Sequence, residues 1–325
     1  MTTRSPRPDF MIVGAPKAGT TALHAALAQH PQIFTSRPKE AKYWLCGDAP
    51  PPHFSGPGDR HSQQEWIWRR EEYDALWADA RPDQVRGEST PFYLWSREAQ
   101  IRIAAAMPDI RLIAVVRDPI DRAYSNWMHL WCDGLEPIAD FPTAFAAESD
   151  RIADGWAPFW RYRELGLYGA QLAHLRKLVE PARILVVRYR DLVDDPAGVL
   201  ARTCAFLGVA PDAVAEIPRD NARTYVEPGW RPRVLAPLVR AGAWAGQFLP
   251  PQTWRRAEPH AIRLLHGRGK QPRPHLTPDE RAALIPAFAE DIALLSEVTD
   301  DDYSAWLSPE SRGSFDQRTG TPQQG

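Results

Sequence analysis

The chain has little of what would place it in several large protein classes. Its 325 residues include only three cysteines, Cys46, Cys132 and Cys204, far apart and odd in number. No CxxC pair or zinc-ligand spacing occurs, so buried free thiols are expected rather than a disulfide framework or a metal ribbon. No apolar run approaches the ~20 residues of a membrane span. Near the start, Arg4, Arg7 and Asp9 surround or precede an apolar run of only four residues, Phe10–Val13, too short for a secretory leader. A cytoplasmic protein is the expectation. Positive charge is not in excess: the formal net charge is −2, which argues against a nucleic-acid partner. Lysine is scarce, five of 39 Lys and Arg side chains. That scarcity singles out each lysine that falls within a motif.

What is present suits a globular chain with a real core: 44% apolar and 25% charged residues. The length suits one large α/β domain or two smaller ones. Residues 1–9 read as a flexible arm and 308–325 as a polar, disordered tail. Residues 47–63, rich in Pro, Gly and His, read as a surface loop. Between them, short apolar runs predict buried parallel strands at Phe10–Gly14, Val85–Ser89, Leu112–Val116 and Ile184–Tyr189. Helical patterns alternate with them, at Thr20–His30, Arg97–Met107, Asp121–Trp131, Leu167–Val179 and Pro196–Leu207. The alternation predicts a three-layer α/β fold, a P-loop-like parallel sheet flanked by helices, with residues 10–307 as a single domain. Ligands in such sheets bind beyond the carboxyl ends of the strands.

Two stretches at such ends carry chemistry. The first, GAPKAGTT (14–21), frames G-x-x-x-x-G-T-T. A nucleoside-triphosphate loop has lysine directly after the second glycine. Here Thr20 holds that slot and Lys17 stands inside the loop. Backbone amides at a helix start still cradle an anion, and the Thr20 and Thr21 hydroxyls add donors. The second stretch is RLIAVVRDPIDRAYSN (111–126). Arg117 ends a strand and Ser125 follows eight residues later on the next helix, so a guanidinium fork and a hydroxyl can converge on one phosphate. The competing arrangement pairs Arg117 with Asp118 or Asp121 and leaves Ser125 in solvent.

Together these segments resemble the PAPS-dependent sulfotransferases, PAPS being 3′-phosphoadenosine 5′-phosphosulfate. GAPKAGTT looks like that family's loop for the 5′-phosphosulfate, and RDPIDRAYSNW like its 3′-phosphate motif. The resemblance continues at RPKEAKYW (37–44), GESTPFYLW (87–95), ILVVRYRDLVDDP (184–196) and KQPRPHLTPDERAAL (270–284). KEAKYW and GESTPFYL bring it nearest the bacterial and heparan-type, carbohydrate-directed branch. The resemblance implies transfer of a sulfuryl group from PAPS to a hydroxyl of a sugar, glycolipid or small natural product. PAPS would leave as 3′,5′-ADP, and no metal is required.

It also implies roles. The backbone of Lys17, Ala18 and Gly19, with Thr20 and Thr21, would hold the 5′-phosphate, and Lys17 would neutralise the leaving oxygen. Arg117 and Ser125 would take the 3′-phosphate, and Tyr189 the adenine. Lys270 and Arg273 would close over the donor, though their spacing departs by about a residue. Glu40 would be the general base, flanked by Lys39 and Lys42, with His129 the runner-up. Ser89 departs from the branch, which often has lysine there. Glu88 would orient substrate or brace structure. Two aromatic segments, 127–162 and 225–256, suit an acceptor site; the second also reads as a lid, a tunnel or a membrane-surface helix. The competing function is a P-loop-type kinase or a nucleotide-binding protein without turnover. The displaced lysine and the Arg117/Ser125 pair argue against it. Neither the acceptor nor the oligomeric state is legible in the residues.

Overall fold

The computed structural model describes residues 6–213 and 274–310, with Ile217 and several residues between 235 and 242. Among them runs a parallel sheet in the order β2-β3-β1-β4-β5. Its strands are β1 (Phe10–Gly14), β2 (Ile33–Thr35), β3 (Val85–Ser89), β4 (Arg111–Val116) and β5 (Ile184–Arg188). All four pairings are parallel. The expected sheet flanked by helices is therefore what forms. The three-residue β2 was not anticipated, because so short a run carries no periodicity of its own.

The centre of the sheet explains the composition of its strands. Every residue of β1 is buried, as are the last five of β4. A strand covered on both faces cannot alternate polar and apolar residues, so FMIVG and LIAVV are continuous apolar runs. Close packing also dictates one glycine. A Cβ on Gly87 would lie 2.1 Å from the Phe10 ring, its register partner on β1. Of the expected arm 1–9, Asp9 extends the β1 pairing. Its N–H donates to the Arg86 carbonyl and its carboxylate accepts from the Arg86 N–H at 2.7 Å. Arg7 donates to the Ala106 carbonyl.

The strand order reverses at β1, whose neighbours are β3 and β4. A crevice therefore opens beyond the carboxyl ends of these strands. The helix Pro119–Cys132 leaves β4 at that edge. It begins two residues earlier than its apolar periodicity suggests. Asp118 caps it, accepting from the Ile120 and Asp121 N–H groups, and Pro119 occupies the first turn. Tyr189 opens the helix Tyr189–Asp194 instead of ending β5. The 47–63 stretch is more than a surface loop. It contains the short helix Asp59–Gln63, and buried Asp59 accepts from Ala157 N–H at 2.8 Å and Trp160 Nε1 at 2.9 Å. The three cysteines are buried free thiols.

A late segment ties down the start of the helix after β4. Thr277 and Glu280 form a capping box that starts the helix Pro278–Leu284. That helix presents Arg281, 3% exposed, to Asp118 and Asp121, with the Arg281 Nη1–Asp121 Oδ1 contact at 3.1 Å. Removing one member of a buried ion pair strands the other charge, at a cost of about 3–5 kcal/mol. Arg281→Leu is accordingly expected to lower the unfolding free energy by about 3 kcal/mol or more. A urea midpoint within error of wild type would contradict this.

Candidate active site

The loop after β1 turns back on itself. Ala15 N–H donates to the Val115 carbonyl at 2.7 Å, carrying the β1–β4 pairing one residue further. Lys17 and Gly19 then take left-handed backbone conformations, with φ of 64° and 90°. At Gly19 only glycine fits, because a Cβ would lie 2.8 Å from the Tyr189 ring. The helix Thr20–Leu27 starts at once, with Thr20 buried and Thr21 exposed. The first-turn amides of a helix lack intrahelical acceptors and carry the positive end of its dipole, which is an anion cradle. Ala18 contributes less than expected. Its side chain is fully buried and its N–H donates to the Ala15 carbonyl at 3.2 Å, inside the loop.

The end of β4 meets this loop. Arg117 is 4% exposed, and its Nη1 donates to the Lys17 carbonyl at 3.2 Å. Its guanidinium lies 4.7 Å from the Tyr189 ring centroid. Asp118 and Asp121, the acids expected to compete for Arg117, are both engaged by Arg281. Ser125 is buried on the helix after Arg117 rather than turned to solvent. Lys17, Gly19, Thr20, Thr21, Arg117, Ser125, Tyr189 and Glu40 all line one cavity of about 580 Å³. The two motifs, about a hundred residues apart, thus share a single chamber. Lys270 and Arg273 lie outside the described residues.

Glu40 is joined to the loop by a lysine. Lys39 Nζ donates to Thr21 Oγ1 at 3.1 Å and lies 3.3 Å from Glu40 Oε1. Lys42, the other flanking lysine, instead sits 5.5 Å from the Trp66 ring centroid. Behind them lies a network that sequence reasoning did not assemble. Glu88 is fully buried and accepts from Tyr73 Oη at 2.6 Å, Thr90 Oγ1 at 2.7 Å and Tyr93 Oη at 2.7 Å. Each hydroxyl also accepts from the KEAKYW segment: Tyr73 from Trp44 Nε1, Thr90 from Lys42 N–H, and Tyr93 from Trp44 N–H. Glu88 therefore braces the segment that carries Glu40 and does not line the cavity. Burial raises the Glu88 pKa, against the pull of its three donors. The signal available beforehand was only the Glu, Thr and Tyr of GESTPFY.

Ser89 takes a hydrogen bond with His24 Nδ1 at 2.7 Å, from the helix that follows the glycine loop. Burial, then the Lys39 charge, lowers the His24 pKa to about 4. A neutral imidazole thus occupies the ground behind Thr21 and Lys39. His129 lines the cavity, 3.8 Å from Asp133. In the 127–162 segment, Trp127, Trp131, Trp160 and Tyr162 are buried and belong to the core. Trp160 and half-buried Phe159 also border the cavity. The 225–256 segment lies largely outside the described residues. Among the described residues no group of three or more His, Cys, Asp or Glu converges as metal ligands would, and no helix is long and apolar enough to cross a membrane.

A parallel sheet with a glycine loop at its switch point, and a buried arginine on the neighbouring strand end, defines a P-loop-like α/β protein. The sulfotransferase domain model matches residues 7–225, and the chain belongs to that family. It is similar to the human heparan sulfate glucosamine 3-O-sulfotransferase 3B1, at 32% identity over 203 residues, covering 62% of this chain and 46% of that protein. It is also similar to the human bifunctional heparan sulfate N-deacetylase/N-sulfotransferase 3, at 26% identity, covering 63% of this chain and 22% of that one. The chain thus spans less than half the length of these two relatives. Among solved structures, a sulfotransferase from Alicyclobacillus acidocaldarius is 30% identical. It covers 92% of this chain and 98% of its own, with a TM-score of 0.71.

The His24 environment predicts a pH dependence of stability. Folded His24 protonates near pH 4, whereas an unfolded histidine protonates near 6.5. Between these values the unfolded chain holds the extra proton. Stability is therefore expected to fall as pH drops from 6.5 to 4, by up to about 3 kcal/mol, with no His24 contribution above 6.5. Comparing wild type with His24→Gln in urea at pH 7, 5 and 4 isolates the effect. Parallel pH profiles for the two proteins would refute it.

Proposed function

We propose that this protein is a PAPS-dependent sulfotransferase that acts on a hydroxyl acceptor, with residues 10–307 as its catalytic domain. One observation carries the reading. A single cavity unites the glycine loop with Arg117 and Ser125, so one nucleotide can be gripped at two anionic ends. The residues present suit such a ligand. The cavity, about 580 Å³, falls in the range of small-molecule sites. Its floor offers helix-terminal amides and two threonines, and a buried guanidinium already tied to the loop carbonyl supplies the second anion contact.

When bound, PAPS supplies a sulfuryl group on a phosphate oxygen: the new acceptor O–S bond forms as the bridging S–O bond to the phosphate breaks, and 3′,5′-ADP departs. Lys17 stabilises the charge that gathers on the departing phosphate oxygen. Thr20, Thr21 and the first-turn amides hold that phosphate in line. Glu40 takes the proton from the acceptor hydroxyl. Lys39, bridging Thr21 and Glu40, keeps the base at a set distance from the donor loop. Arg117 and Ser125 fix the 3′-phosphate, and Tyr189, packed on Arg117, borders the place for the adenine.

Titration calorimetry in EDTA tests the donor site. 3′,5′-ADP is expected to bind at least tenfold more tightly than 5′-AMP, about 1.4 kcal/mol for the extra phosphate. Equal affinities would remove the role of Arg117 and Ser125, and a requirement for magnesium would favour a kinase. Arg117→Ala is expected to raise the KM for PAPS, whereas Lys17→Ala lowers kcat by about 100-fold. Glu40→Gln is expected to bind 3′,5′-ADP normally and to transfer at least about 100-fold more slowly. Near-normal transfer by Glu40→Gln would move the base to His129.

A further inference from the structure

The lysine between Glu40 and the glycine loop bears on how the donor is held, an inference that rests on the sulfotransferase reading. Lys39 is tied to the helix Thr20–Leu27 by two routes. Its ammonium donates to Thr21 Oγ1 at 3.1 Å, in the first turn of that helix. Its backbone carbonyl accepts from the Ser89 N–H at 3.3 Å, and Ser89 Oγ shares a hydrogen bond at 2.7 Å with His24 Nδ1, one turn further along the same helix. Both the backbone and the charged end of Lys39 are thus fixed against the helix whose start forms the anion cradle. The charge is felt there. Burial first, and then the Lys39 ammonium, hold the His24 pKa down at about 4.

The two side chains that Lys39 touches, Thr21 and Glu40, both line the cavity. A hydroxyl has one O–H to give and lone pairs to receive. Thr21 receives from the lysine, so its own O–H is left to donate, and an ammonium behind it strengthens that donation. A phosphate on the first-turn amides is the anion placed to accept it. The Glu40 contact answers a second need. A carboxylate on the same cavity wall as a bound phosphate repels it, and a cation between the two offsets the repulsion. Lys39, 3.3 Å from Glu40 Oε1 and bonded to the loop helix, occupies that place.

We infer that Lys39 is a positioning residue for the 5′-phosphosulfate end of the donor, acting through the Thr21 hydroxyl and screening that anion from Glu40. The cradle then has two lysines with separate tasks. Lys17 serves the anion from inside the glycine loop, and Lys39 serves it through the first turn of the helix. The 3′ end of the nucleotide, held by Arg117 and Ser125, is not under its influence.

The test compares two ligands that differ only in the 5′-phosphate, 3′,5′-ADP and adenosine 3′-monophosphate, on the full chain by titration calorimetry, with displacement for the weaker one. Lys39→Met is expected to lower the affinity for 3′,5′-ADP at least about tenfold and to leave that for adenosine 3′-monophosphate within about twofold. Lys39→Arg, which keeps the charge, is expected to return the 3′,5′-ADP affinity to within about threefold of wild type. Unchanged 3′,5′-ADP binding by Lys39→Met overturns the inference. An equal loss for both ligands overturns it too, because a lysine that only supports the fold would not distinguish them. So does Lys39→Arg binding 3′,5′-ADP as weakly as Lys39→Met. Each of these results leaves the donor site standing, whereas failure of the wild-type chain to bind 3′,5′-ADP removes both readings together.

Discussion

The hydrogen bond from Arg117 to the carbonyl of Lys17 is the contact on which the site depends. It joins the turn after β1 to the end of β4 across a boundary the chain crosses only after building β2 and β3. The adjacency is not available locally; it exists because β4 is inserted beside β1 in a parallel sheet. Arg281 engages Asp118 and Asp121, which follow Arg117 in the chain. Tyr189 closes the group from β5 by lying over Arg117, and Gly19 leaves room for it. Three strand ends thus converge on one chamber.

A second constraint places Glu40. The KEAKYW segment is irregular until its last two residues open the helix Tyr43–Cys46, and side-chain bonds help to hold it. Glu88 supplies them through three hydroxyls that donate to it and each accept a hydrogen bond from residues 42–44. A buried carboxylate is costly unless its oxygens are satisfied, and here three donors satisfy them. Lys39 completes the arrangement by touching both Thr21 and Glu40. The glycine loop and Glu40 are therefore held to each other as well as to the scaffold. His24, kept neutral by burial and by Lys39, adds no second positive charge at this point.

Much of the fold was legible because central parallel strands must be apolar throughout. The runs at β1, β4 and β5 carry that signature, whereas β3, VRGES, holds a single apolar side chain; the bounds of all four differ in the structure by a residue at most. The helix after β4 was legible in its body but not at its start, since Asp118 and Pro119 act by capping and not by periodicity. β2 escaped notice because three residues hold no pattern. The 47–63 stretch looked like a surface loop from its Pro and Gly content, yet Asp59 within it is buried as an acceptor for Ala157 and Trp160. Composition reports turn chemistry and says nothing of which side chain is turned inward. The aromatic segment 127–162 divided similarly: Trp127, Trp131 and Tyr162 fill the core, and Phe159 reaches the cavity.

By itself the sequence determined the glycine loop, the strand-end arginine motif and the order in which they occur, because both depend on short-range backbone chemistry: glycines, a helix start and a strand end. The glutamate of KEAKYW was marked in the same way, by a motif of adjacent residues. Only the tertiary structure decided that the glycine loop and the Arg117 and Ser125 motif share one chamber, that Lys39 reaches back to Thr21, and that Glu88 braces the KEAKYW segment. Those outcomes turn on contacts between residues tens to more than a hundred positions apart. Linear spacing carries no record of such contacts; the packing of parallel strands and the burial of polar groups create them.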